Sequence, residues 1–117
     1  MADLVARRVA ARMAVDAEDA LVTEVERRLA EAHRAGPVAY LEAGAVMDVA
    51  NVVVGVSGLV WAVYVELRRR TARPEPQMVI REVRIEMSRR SVHRDDQIDR
   101  VTTLAVEEVF KLEGPSE

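Results

Sequence analysis

The chain has 117 residues, material for a single domain spanning 1–117. Half of the residues are apolar but only 3% are aromatic, so a core must be built from Val, Leu, Ile, Met and Ala. The absence of cysteine excludes disulfides, thiolate metal sites and cysteine nucleophiles, and a net charge of −3 gives no global pull toward nucleic acid.

Residues 3–35 read as N-terminal helices with one break. Leu4, Val5, Val9 and Met13 fall at helical spacing, as do Leu21, Val22, Val25 and Leu29. Between the sets Asp16 is a candidate N-cap, with Glu18 and Asp19 in the first turn. Gly36-Pro37 ends the helical run.

The spacing predicts a central helix over residues 38–70, roughly 50 Å long at the α-helical rise. It is amphipathic at first, through Tyr40, Leu41 and Glu42, and almost wholly apolar after Asp48. Gly44, Asp48, Asn51, Gly55, Gly58 and Ala62 succeed one another at spacings of 4, 3, 4, 3 and 4. Those intervals trace one stripe along a helix, and every member is small or polar. A stripe of this kind is expected to let another backbone approach closely, and is taken as an interaction surface.

Residues 71–77 form a proline-containing linker. Residues 78–88 alternate, with Val79, Val83, Ile85 and Met87 set against Glu82, Arg84 and Glu86, which predicts a strand. The segment also fits a helix through Val79, Ile80, Val83 and Met87; the prolines and the β-branched residues favour the strand. A lone strand leaves both edges unpaired, so Val79, Val83, Ile85 and Met87 become candidates for pairing with a second copy. Residues 88–94 read as a charged turn. Residues 95–112 then form a C-terminal helix capped by Asp95 or Asp96, buried through Ile98, Val101, Leu104 or Ala105, Val109 and Leu112, and ended by Gly114-Pro115. The expected class is α+β, predominantly helical, with the apolar helix packed by the N-terminal helices and by a strand plus helix.

Residues 49–67 are also long enough to span a bilayer, with Trp61 and Tyr64 near one end and Arg68, Arg69 and Arg70 following. That alternative is a single-pass membrane protein with a cytosolic C-terminal part. The core reading is favoured because the flanking pieces, about 50 residues each, carry apolar faces and are too small to fold alone. The N-terminal M-A-D-L-V-A-R-R lacks the order of a signal peptide, so cytoplasmic residence, at the membrane face in the alternative, is expected.

Chemistry-bearing residues are few. His33 sits near a helix end. His93 stands beside Asp95, Asp96 and Asp99, where a helix N-cap explains the acids better than a metal or acid–base cluster does. Glu42 and Asp48 on the apolar helix are expected to face water at its less buried end or to pair with Arg. No phosphate loop, zinc spacing or nucleophile elbow is present. Ten of the sixteen arginines fall between Arg68 and Arg100 but are diluted by Glu and Asp, which disfavours nucleic acid as a partner. The expectation is a non-enzyme, without metal or cofactor, that works by association.

The order V-V-V-G-V-S-G-L-V-W-A-V-Y-V-E-L-R-R-R, then a proline linker, then V-R-I-E-M, resembles the small effector-associated constant components of bacterial conflict systems. The likeness covers about residues 46–87; the N-terminal helices depart from that family, whose members tend to begin with a strand. It implies an adaptor that binds itself or a larger effector protein, and it carries over no catalytic residue.

Overall fold

The computed structural model describes residues 1–13, 20–35, 48–92 and 94–113, with side chains as far as 31 in the second stretch. These residues form five helices: α1 (Ala2–Met13), α2 (Ala20–Ala35), α3 (Val49–Arg70), α4 (Pro76–Arg89) and α5 (Asp96–Glu113). Helix α3 lies at the centre and touches all four others. The others form an arc around it in the order α2, α1, α5, α4. Among the described residues neighbours in the arc touch but α2 and α4 do not, so the arc these helices form is open between them.

The reason is in the composition of α3. Every residue from 50 to 60 is buried, on all sides of the helix. Its five buried valines there and its two glycines are poor helix formers, at a cost of roughly 0.5 kcal/mol per valine and about 1 per glycine. Burial of each valine side chain returns about 1.5–3 kcal/mol, so packing and not propensity makes this helix. It is long and apolar enough to cross a membrane, yet 67% of its most apolar window is covered by the protein itself.

The helix does not run unbroken from residue 38. Asp48 is its N-cap, with extended backbone (φ −79°, ψ 170°), and its Oδ1 accepts from the Asn51 N–H at 2.8 Å. At the other end Arg68, Arg69 and Arg70 occupy the last turn, where cations suit the helix dipole.

The predicted strand is a helix, and the class is all-helical among the described residues. Pro76 sits in the first turn of α4, where its fixed φ suits a helix and its missing N–H costs nothing. Val79, Val83 and Met87, spaced by four, are buried together against the core. Ile85, which a strand would have placed beside them, is 41% exposed. The alternation misled because Glu82, Arg84 and Glu86 happen to fall between apolar residues under either period. A helix satisfies its own backbone groups, whereas a single strand would leave its N–H and C=O groups unpaired. Without the strand, the route to a dimer by edge pairing through Val79, Val83, Ile85 and Met87 is lost.

Helix α4 ends in a Schellman turn. The Val92 N–H donates to the Met87 carbonyl at 2.9 Å and the Ser91 N–H to that of Ser88 at 3.1 Å. Ser91 takes the left-handed φ of 58° that such a turn needs, with Val92 packed against the core. Helix α5 starts as expected: Asp95 Oδ1 accepts from the Ile98 N–H at 2.8 Å, and Ile98, Val101, Ala105 and Val109 are buried, with Leu104 and Leu112 partly so.

Proline at Val83 separates the two local structures. Inside α4 it removes a hydrogen bond and clashes with the preceding turn, so Val83→Pro should cost about 3 kcal/mol or more. Urea denaturation and loss of helical circular dichroism measure it. A variant that kept full helicity would contradict the helical assignment of α4.

Candidate functional site

The small stripe is consumed mostly inside the fold. Gly44 and Glu42 lie outside the described residues. Asn51 is 6% exposed and Gly55 and Gly58 are buried, while Asp48 and Ala62 reach the surface. Asp48 is exposed and acts as the cap. Arg28, absent from the expectations, organises this end: its Nε donates to Asn51 Oδ1 at 2.7 Å and its Nη2 to Asp48 Oδ2 at 3.2 Å. It also pairs with Glu24 on its own helix. One guanidinium thus joins α2 to the first turn of α3. The hydrogen bond from Arg27 holds the Glu24 carboxyl below the ordinary carboxylate range.

A second polar cluster joins α1 to α5. Glu108 is 3% exposed and its carboxylate receives Arg12 at 3.2 Å, Arg8 at 3.7 Å and Lys111 at 3.4 Å. Arg12 also donates to Glu107 at 2.8 Å, which raises its guanidinium further above its ordinary value. The sequence holds a signal for this that spacing could have found. Ile98, Val101, Ala105 and Glu108 continue one buried stripe at intervals of 3, 4 and 3, and Arg8 and Arg12 stand one turn apart on α1. The cluster is a clasp between helices, since cations occupy the acid on three sides.

No group of three or more His, Cys, Asp or Glu side chains is placed to hold a metal among the described residues. His93 and the side chain of His33 lie outside them. Asp95 caps α5, and Asp99 pairs with Arg94 at 3.0 Å. Ser57, fully buried between Gly55 and Gly58, has no hydrogen-bond partner for its Oγ.

One surface stands apart. Beyond Val60 only Tyr64 and Leu67 of α3 are buried; Trp61, Val63 and Val65 are half-buried and Ala62 is exposed. On the open side of the arc this half of α3 and the adjoining face of α4 form a trough of about 190 Å³. Leu59, Ala62, Val63 and Leu67 make its floor, with Glu66 and Arg70 on one wall and Glu82, Glu86, Arg89 and Arg90 on the other. The ion pairs here run along a single helix, Glu66 with Arg69 and Arg70, Glu86 with Arg89 and Arg90. None crosses from α3 to α4 among the described residues. The α1–α2, α1–α5, α2–α3 and α3–α5 seams are bridged, by Arg7–Glu26, Arg12–Glu108, the Arg28 contacts and Arg68–Glu113, while α1–α3 and α4–α5 share the lack of a bridge among the described residues.

No protein-family model, curated protein or solved structure matches this chain. The helical V-R-I-E-M segment also departs from the short strand on which the likeness to effector-associated components partly stands.

Two stability outcomes follow from these clusters. Glu108→Gln keeps the shape but removes the charge that three cations share. Because those cations are partly exposed, the loss should be about 1 kcal/mol, larger at low salt, as read by urea denaturation at two ionic strengths. Ser57→Ala removes a buried unpaired hydroxyl and should leave stability unchanged or raise it by about 1 kcal/mol, measured in the same way.

Proposed function

We propose that this chain is a small non-enzymatic association protein, and that the α3–α4 trough is the face through which two copies join. The observation that carries the proposal is that trough: an apolar floor on the open side of the arc, at a helix seam that no ion pair bridges. Its rim carries three acids, Glu66, Glu82 and Glu86, and three bases, Arg70, Arg89 and Arg90. A rim with equal numbers of both signs suits a two-fold copy, which can set acid against base, better than a partner of one sign. Ala62 and Val63 are small enough to let the two α3 helices come close. The likeness of residues 46–87 to effector-associated components supports an accessory role beside a larger effector in a bacterial conflict system, with cytoplasmic residence.

Light scattering at micromolar concentration tests self-association. The parent should show a dimer mass, and Ala62→Glu should give a monomer. The melting temperature should change little, because this position is exposed in the isolated fold. A monomer mass for the parent would refute self-association. Fractionation after expression tests the membrane alternative: recovery in the soluble fraction without detergent is expected, and recovery only with detergent would favour a span over residues 49–67.

A further inference from the structure

Helix α4 has a second, outward face. Its inner stripe of Val79, Val83 and Met87 is buried; outside stand Met78, half-buried, and Arg81, Arg84 and Ile85, all exposed. Ile85 is 41% exposed, and the other exposed large apolar residues among those described are Met1 and Leu4 of the first turns of the chain. Arg81 and Arg84 are each other's neighbours one turn apart. The positions three and four residues from them hold Gln77, Met78, Ile80, Ile85, Met87 and Ser88, with no acid among them. A like-charge pair at this spacing destabilises a helix slightly.

Most other described arginines are compensated. The described arginines of α1, α2 and α3, with Arg89, Arg90 and Arg94, all pair with carboxylates. Arg81 and Arg84 have no ion pair or hydrogen bond; Arg73 and Arg100 share this but stand on other elements. A protein of net charge −3 thus carries on one helix face two adjacent uncompensated guanidiniums beside its most exposed internal isoleucine.

We infer that the outer face of α4 docks an acidic amphipathic helix of another protein. Carboxylates one turn apart on such a helix match guanidiniums one turn apart on α4, and its apolar side chains cover Ile85 and Met78. Arginine is well suited to this work, since it gives up hydration more readily than lysine and binds carboxylate through two parallel hydrogen bonds. A nucleic acid fits less well. The net negative charge opposes a polyanion at long range, and Ile85 offers nothing to a phosphate backbone. An anionic bilayer fits less well too, because two cations give little surface attraction against that net charge. This surface lies apart from the trough and does not depend on it.

The probe is a labelled synthetic helical peptide of Leu, Ala and Glu with its glutamates one turn apart, titrated against the full-length protein by fluorescence anisotropy. Its counterpart has lysine at every glutamate. The acidic peptide should bind the parent and the lysine peptide should not. Arg81→Glu with Arg84→Glu should weaken the acidic peptide at least about tenfold and admit the lysine peptide. Ile85→Ser should weaken it by a smaller factor. Both variants change exposed positions, and circular dichroism should show an unchanged fold. Ala62→Glu should leave peptide binding intact, while the double arginine variant should keep the parent's mass by light scattering, which separates this face from the trough. Failure of the acidic peptide to bind the parent would overturn the inference. So would equal binding by the double variant, or tighter retention of the parent by phosphatidylglycerol vesicles or duplex DNA.

Discussion

The fold depends on enclosing one helix. From 50 to 60, α3 presents apolar or small side chains in every direction, and water on any side of it would be costly. The other helices answer that demand unequally. Helices α1 and α5 each bury a stripe rich in valine and alanine; α2 contributes Val25 and Leu29, and α4 contributes Val79, Val83 and Met87. None of these stripes is wide enough to make a core without α3. With almost no aromatic residues, the core depends on many close contacts between small side chains, and the aromatic rings among the described residues gather at one end, where Trp61 stacks on Tyr64 and Tyr64 meets the edge of Phe110.

Charge then decides how the helices are latched. Individually these ion pairs contribute little, because most are exposed and screened. Their distribution carries more meaning than their number. Those between helices bridge α1–α2, α1–α5, α2–α3 and α3–α5, and Arg28 and Glu108 reach inward far enough to fix the register of α2 on α3 and of α1 on α5. At the α3–α4 seam the same residue types turn to partners on their own helix. Val79, Val83 and Met87 of α4 are buried against the core, and Glu66, Arg70, Glu86, Arg89 and Arg90 on the walls pair within their own helices.

On this view α4 serves two faces. Its inward stripe holds it to the core, one flank closes the trough, and its outer surface displays Arg81, Arg84 and Ile85. A small protein that pairs with itself through one flank and reads an acidic helix through the other would bring two copies of a partner together. Neither face requires chemistry beyond packing and charge.

Much of this was legible in the chain. The helical spacing of Val5 and Val9, of Val25 and Leu29, and of Ile98, Val101 and Val109 announced three amphipathic helices, and the run after Asp48 announced an element that had to be surrounded. The acids at 95 and 96 announced a cap, and the structure gives it to Asp95. Local pattern could not settle residues 78–88, because Val79, Val83 and Met87 fit periods of two and of four equally; the absence of a partner strand among the described residues and the apolar surface of α3 settled it, and both are properties of tertiary structure. Nor could spacing tell that Gly55 and Gly58 would be covered by the protein's own helices while Ala62 stayed open. The sequence by itself determined that α3 must be enclosed, since its apolarity has no direction. Only the tertiary structure decided which sides of α3 each helix covers, because that depends on how far four short helices reach around a longer one, and the side left open among the described residues is the surface on which the proposed association rests.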